Sequence, residues 1–205
     1  MITSSISGEG KSFISANLAI SLSLTGKKVV LVDMDMNNPT LDKILEIKRE
    51  EGVTEFLEGT RDPEEIIKRV DLHENLFFLS AGAELPENPS ELLSNGKVKE
   101  LINYLENLFD FVIIDTSPMV LVTDGYLLTG LCDATLYVIR HHYTPKLLIK
   151  RIDENLQINP INNPALIFNG VKMRGFFKNN YGYGCDYVYG NKDRKRAEKN
   201  AVGKN

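Results

Sequence analysis

Three stretches of the chain carry residue types suited to handling a polyphosphate. The first is Ser4-Ser5-Ile6-Ser7-Gly8-Glu9-Gly10-Lys11-Ser12, which ends in Gly-Lys-Ser. At that spacing, successive backbone N–H groups and the start of a following helix can wrap phosphate oxygens, with Lys11 reaching the terminal phosphates and the Ser12 hydroxyl on magnesium. The common pattern has glycine where this chain has Ser5, so the loop is a variant whose freedom comes from Gly8 and Gly10. Read alone, such a turn could equally do no more than join a strand to a helix. The second stretch, Val29-Val30-Leu31-Val32-Asp33-Met34-Asp35, is an apolar run ending in two acids. A side-chain period of two puts Asp33 and Asp35 on one face at the carboxyl end of a strand, the edge where open α/β sheets bind ligands. Acids there can serve metal-linked chemistry or simply meet solvent. The third stretch, Phe111-Val112-Ile113-Ile114-Asp115, is a Walker B pattern whose acid would hold magnesium opposite Ser12.

The elements that must position these residues follow from periodicity. Only Met1-Ile2-Thr3 precede the loop, fewer than the about five or six residues of an ordinary strand, so a truncated first strand and a weakened sheet centre are expected. Phe13, Ile14, Leu18, Leu22 and Leu24 recur at roughly helical spacing between Lys11 and Thr25, and Gly26 closes that helix. The run from Val29 reads as a buried parallel strand, and Pro39 breaks the chain after it. Pro63 to Val70 reads as a short amphipathic helix, Leu76 to Leu79 as a strand, and Asn88 to about Asn107 as one helix capped by Asn88 or Ser90. A strand over Thr135 to Ile139, a helix over Pro145 to Leu156 and a strand over Ala165 to Asn169 complete the alternation. Asn169 would stand near the base of a nucleotide, offering its amide to adenine or making a simple Asn-Gly turn. The pattern predicts an α/β chain with a three-layer P-loop NTPase fold around a mainly parallel sheet.

Composition fits one domain. The 205 residues are 42% hydrophobic and 25% charged, and no apolar run reaches the roughly 18 residues of a membrane span. The N-terminus lacks the layout of a secretory signal, so a soluble intracellular chain is expected. Cys132 and Cys185 stand far apart with no metal-ligand spacing, which indicates neither a zinc site nor a disulfide framework. The formal charge of -4 conceals a basic end in which Lys192, Arg194, Lys195, Arg196, Lys199 and Lys204 outnumber Asp193 and Glu198. That end reads as solvated, with contact to anionic lipid or an acidic partner as the sharper alternative.

Before it lies Tyr181-Gly182-Tyr183-Gly184-Cys185-Asp186-Tyr187-Val188-Tyr189-Gly190. Glycine this frequent disfavours both helix and strand, so the phenols should be exposed on a flexible tail. The segment could be a low-complexity linker, and stacking on nucleic acid would call for a basic groove that this acidic body lacks. Exposed phenols near a nucleotide site suggest phosphoryl acceptors instead: Tyr181, Tyr183, Tyr187 and Tyr189. The expected division is a kinase domain over residues 1–178 and a tail over 179–205.

Together these residues resemble the cytoplasmic catalytic domain of the bacterial protein-tyrosine kinases, the BY-kinase family of capsular and exopolysaccharide biosynthesis. The likeness covers almost the whole chain. It rests on Thr3-Ser4-Ser5 with Gly8 to Ser12, Asn17-Leu18-Ala19, Val32 to Asp35, Asn88 to Leu93, Ile113 to Thr116 with Pro118 and Thr123-Asp124, Asn169-Gly170-Val171, and the tyrosine cluster. The resemblance implies ATP and Mg2+ as cofactors. Ser7, Gly8, Glu9, Gly10, Lys11, Ser12 and Phe13 would cradle the nucleotide, with Asn169 beside it. Ser12, Asp33 and Asp115 would serve the metal, Asp33 would activate the acceptor phenol, and Asp35 would support it. It implies autophosphorylation of the tyrosine cluster, a membrane-embedded polysaccharide co-polymerase or activator as partner, and an opposing tyrosine phosphatase. It also implies a place at the inner face of the cell membrane.

This chain departs from the family pattern with Ser7 in place of proline and with Asn37 and Asn38 in place of arginines, so contacts made by those arginines are not expected. The family's arginine-bearing helix ahead of the loop is not among the 205 residues, and ring assembly by that route is not expected. Two rival readings stand beside the kinase. One is a partitioning or septum-positioning ATPase, which typically has lysine where Ile6 stands. The other is a non-catalytic nucleotide-binding module.

Overall fold

The computed structural model describes residues 1–119, 124–158 and 161–171. The tail tyrosines, Thr123 and Cys185 therefore lie outside the described residues. Seven strands form one sheet: β1 (Ile2–Ser4), β2 (Val29–Met34), β3 (Ile67–Arg69), β4 (Leu76–Leu79), β5 (Phe111–Thr116), β6 (Thr135–Arg140) and β7 (Pro164–Asn169). Their order is β3-β4-β2-β5-β1-β6-β7, and every pairing is parallel except that of β3 with β4. The first strand is short, as expected, and all three of its residues are buried between β5 and β6.

Alternation along the central strands sorts side chains into two cores. Val29 and Leu31 of β2, Ile113 of β5 and Val138 of β6 pack with Ala16 and Ala19 of α1 (Lys11–Ser23) and Leu41 of α2 (Leu41–Ile44). Val30, Val32 and Met34, together with Ile114, face the opposite way. There they meet α3 (Val53–Glu58), α4 (Pro63–Ile66), α5 (Pro89–Leu93), α6 (Lys97–Glu106), α7 (Asp124–Thr129) and α8 (Lys146–Ile158). The result is the three-layer architecture that the strand–helix alternation predicts. No helix among the described residues is long and apolar enough to cross a membrane.

Three local expectations need correction. The expected stripe is only partly the inward face of α1: Ile14, Leu18 and Leu22 pack against the core, but Phe13 is 58% and Leu24 62% exposed, while Ser15, Ala16, Ala19 and Ser23 are buried. Small side chains let this helix lie close against the sheet, so its inward face carries little apolar signal. The helix expected over Asn88 to Asn107 is two helices, broken where Gly96 takes a φ of 83°. Asn88 does occupy the N-cap position of α5, but its side chain makes no capping bond and donates instead to Glu91. The helix expected over Pro63 to Val70 lasts one turn, after which Ile67–Arg69 extends along β4 as the antiparallel edge.

The packing of α1 yields a test. Ala19→Leu forces a large side chain against the sheet and should lower the unfolding free energy by ~1–3 kcal/mol. Leu24→Ala, on the exposed side, should change it by less than about 0.5 kcal/mol. Urea denaturation followed by circular dichroism reads both, and equal losses would return the core face to the Phe13–Leu24 stripe.

Candidate active site

All the elements that carry the candidate residues end at the carboxyl edge of the sheet. The loop leaves β1, Asp33 and Asp35 end β2, and Asp115 lies near the end of β5, the strand between β2 and β1. Asp33 and Asp115 are direct partners in the β2–β5 register. Both belong to the alternation that faces α1, as Leu31 and Ile113 do, so the acids open toward the side from which Lys11 and Ser12 project.

Lys11 Nζ is the hub. It donates to Asp35 Oδ2 at 2.6 Å, to Ser12 Oγ at 3.1 Å and to Asp115 Oδ2 at 3.5 Å. Two hydroxyls hold the carboxylates from behind. Ser15 Oγ donates to Asp115 Oδ1 at 2.9 Å, and Ser117 Oγ donates to Asp35 Oδ1 at 2.7 Å. Ser117 Oγ in turn accepts from Asn37 Nδ2 at 3.1 Å. Asp33 is fixed by backbone: Oδ1 accepts the Asp35 N–H at 3.1 Å and Oδ2 the Leu41 N–H at 3.4 Å.

All three acids are buried, and the electrostatics follow from that. Burial, with the neighbouring Asp115 charge second, raises the Asp33 carboxyl from an ordinary 3.8 to about 7. Burial also raises Asp115, although Lys11 and the Ser12 and Ser15 hydroxyls oppose it. For Lys11, burial works to lower the ammonium pKa, but Asp115 and Asp35, aided by Asp33, outweigh it and hold it above its usual value.

The loop has its own supports. Gly8 and Gly10 take φ values of 86° and 96°, a region that favours glycine, so the freedom expected of them is used. A Cβ on Gly10 would run into the Asn169 amide, and one on Gly8 into the Tyr143 hydroxyl. Glu9 is fully buried, and its carboxylate accepts from the Ile6 N–H and from the Thr144 hydroxyl. Asn169 spends its amide on the loop, donating to the Glu9 carbonyl at 2.9 Å, while its oxygen accepts the Gly170 N–H at 2.7 Å. It is therefore both a turn residue and a loop support. The Ser7 carbonyl accepts from Tyr143 Oη at 3.0 Å.

The fold thus gathers Lys11, Ser12, Asp33, Asp35 and Asp115 into one cluster and sets Ser7 to Gly10 and Asn169 beside it. Phe13 points away into solvent. Ser15, Ser117, Tyr143 and Thr144 are additions that sequence reasoning missed. Ser15 could have been found as the residue one turn after Lys11, and Ser117 as the residue two beyond Asp115, just past the end of β5. Nothing in the sequence marks Tyr143 or Thr144, because their role depends on β6 lying beside β1.

Comparison with known proteins agrees with this geometry. The AAA domain family matches residues 2–145. The tyrosine-protein kinase ptk of Acinetobacter johnsonii is 34% identical over 85% of this chain, which spans only 23% of that protein's length. The tyrosine-protein kinase CpsD of Streptococcus agalactiae is 31% identical over 95% of this chain and 82% of its own. Among solved structures, the kinase domain of Escherichia coli tyrosine kinase ETK superposes with a TM-score of 0.80 at 27% identity, covering 90% of this chain and 71% of that one. The Pyrococcus horikoshii septum site-determining protein MinD, complexed with Mg-ADP, gives 0.66 at 22% identity over 82% of this chain and 68% of its own, a likeness of fold alone. With a fold and a Lys-Ser-Asp cluster of this kind, and with a relative matched over most of both lengths, the chain belongs to the bacterial protein-tyrosine kinase family.

Proposed function

We propose that this chain is the catalytic domain of an ATP-dependent protein-tyrosine kinase whose acceptors include its own Tyr181, Tyr183, Tyr187 and Tyr189. We place it in capsular or exopolysaccharide synthesis at the inner face of the cell membrane. A membrane-embedded co-polymerase or activator would be its partner and a tyrosine phosphatase its opponent. One observation carries the reading: a single buried lysine shared by Asp35 and Asp115, with Asp33 in register beside them, at the mouth of a glycine-bearing loop held in left-handed backbone at Gly8 and Gly10.

The residues suit Mg-ATP. Ser12, Asp33 and Asp115 are hard oxygen donors of the kind magnesium takes, and Gly8 and Gly10 give the loop the left-handed backbone of a phosphate-wrapping turn while letting Tyr143 and Asn169 pack against it. Bound there, magnesium would supply charge neutralisation for the phosphates. Lys11 would bring its charge to the transferring phosphoryl group, and Asp35, held by Ser117, would set the position of that ammonium. As the phenol oxygen bonds to the γ-phosphorus and the bond to the bridging oxygen breaks, Asp33 would take the phenol proton.

Two tests follow. Incubation with radiolabelled ATP should give alkali-stable phosphotyrosine, mapped by mass spectrometry to residues 181–189, and Lys11→Met should cut the label by about 100-fold or more. Undiminished labelling in the mutant would remove Lys11 from its role, and free phosphate without labelled tyrosine would favour a switch ATPase. The second test concerns pH. Folded Asp33 holds its proton up to about 7, whereas an unfolded aspartate releases it near 3.8, so this group's contribution to stability falls as pH rises across that interval and the loss is complete above it. In metal-free buffer, Asp33→Asn should therefore raise the thermal midpoint more at pH 8 than at pH 5. Equal gains in calorimetry would mean that Asp33 ionises in the folded state without cost.

A further inference from the structure

The loop's hydrogen-bond accounting points beyond the acids and the lysine. Buried backbone groups must find partners, and a loop that offers its N–H groups to a ligand must satisfy its carbonyls elsewhere. Here three successive carbonyls are taken by side chains from distant strand ends. The Ser7 oxygen accepts from Tyr143 Oη at 3.0 Å, the Gly8 oxygen from Arg140 Nη1 at 2.7 Å, and the Glu9 oxygen from Asn169 Nδ2 at 2.9 Å. The next carbonyl, that of Gly10, accepts the first helical bond, from Ile14. The N–H groups of Ser7, Gly8 and Gly10, by contrast, donate to no acceptor among the described residues. The loop is therefore polarised, with oxygens bound outward and amides left over.

The supports brace one another. Thr144 Oγ1 donates to the buried Glu9 carboxylate and accepts the Arg140 N–H at 2.8 Å. The Arg140 guanidinium lies 5.2 Å from the centroid of the Tyr143 ring. The His141 N–H donates to the Asn169 carbonyl at 2.9 Å, tying the end of β6 to the end of β7. We propose that Arg140 at the end of β6 and Tyr143 and Thr144 in the turn that follows it act with Asn169 as positioning residues for the phosphates. Tyr143, Arg140 and Asn169 bind the carbonyls of Ser7, Gly8 and Glu9, Thr144 binds the Glu9 carboxylate, and together they aim the loop's amides at the nucleotide. They touch no reacting atom. The inference rests on the nucleotide-binding reading of the loop.

The variants that isolate this role are Tyr143→Phe, which removes one exposed hydroxyl, and Thr144→Val with Thr144→Ser as its rescue. Calorimetric titration with Mg-ADP should show dissociation constants raised about fivefold by Tyr143→Phe and about tenfold or more by Thr144→Val, in line with one and two lost hydrogen bonds. KM for ATP should rise in parallel while kcat changes less than twofold, and Thr144→Ser should restore both. Hydrogen exchange of the peptide covering residues 5–12, measured without nucleotide, should quicken in the two damaging variants and not in the rescue. Unchanged exchange in that peptide, or a lowered thermal midpoint with unchanged Mg-ADP affinity, would overturn the proposal. If the unaltered protein bound no Mg-ADP, the function proposed above would fall, and the exchange measurement would still decide whether these residues order the loop.

Discussion

Two carboxylates side by side on neighbouring strands, Asp33 and Asp115, set the terms for the rest of the structure. Like charges in adjacent register repel, and burial makes the repulsion worse by removing the water that would screen it. The fold answers with a single cation brought in from a third element. Lys11 reaches Asp115, and Asp35 beyond Asp33, only because its helix lies close to the sheet, and the helix lies close because Ser15, Ala16, Ala19 and Ser23 are small. The arrangement is a chain of dependencies: strand register places the acids, helix distance places the lysine, and Ser15 and Ser117 fix the carboxylate orientations.

Such a cluster contributes little to folding and much to what the protein can bind. Buried ion pairs gain less from attraction than they lose in hydration, while breaking one by removing a single partner leaves an uncompensated charge and costs several kcal/mol. The stability that tolerates this comes from the strands themselves. Every residue of β2 is buried, and its alternate side chains feed two separate cores, so the acids at its end are carried on one of the least deformable parts of the molecule. The same rigidity would serve the proposed phosphoryl transfer, where placement and charge matter more than any covalent contribution from the protein.

The central strands were legible in the sequence because nothing competes with their signal. A run of Val, Leu and Ile that ends in an acid has few other readings, and both β2 and β5 form where that pattern stands. The helix after the loop was legible in extent and only partly in orientation: Ile14, Leu18 and Leu22 do turn to the core, but the serines and alanines between them give no hydrophobic periodicity to follow. Gly96 could have been read as a break, yet the apolar spacing on either side of it continues well enough to suggest one helix. Ile67 to Arg69 has a helix start just before it, and only pairing with Leu76–Leu79 turns it into a strand. In the site, Lys11, Ser12 and the three acids could be named because each sits at the end of a recognisable element. The Tyr143 and Thr144 contacts could not, because they exist only once β6 has paired with β1 on one side and β7 on the other.

One of those contacts comes from an unlikely quarter. β7 is the last strand of the described sheet, and Pro164, Ala165, Leu166 and Phe168 are all exposed, so it is bound to the body chiefly through β6. Strands so thinly covered open at a lower free energy than the whole molecule. Yet Asn169, at its tip, holds the Glu9 carbonyl. Peripheral breathing that leaves the centre intact would thus slacken the proposed phosphate cradle, and by linkage a ligand held there would quiet the fraying rim.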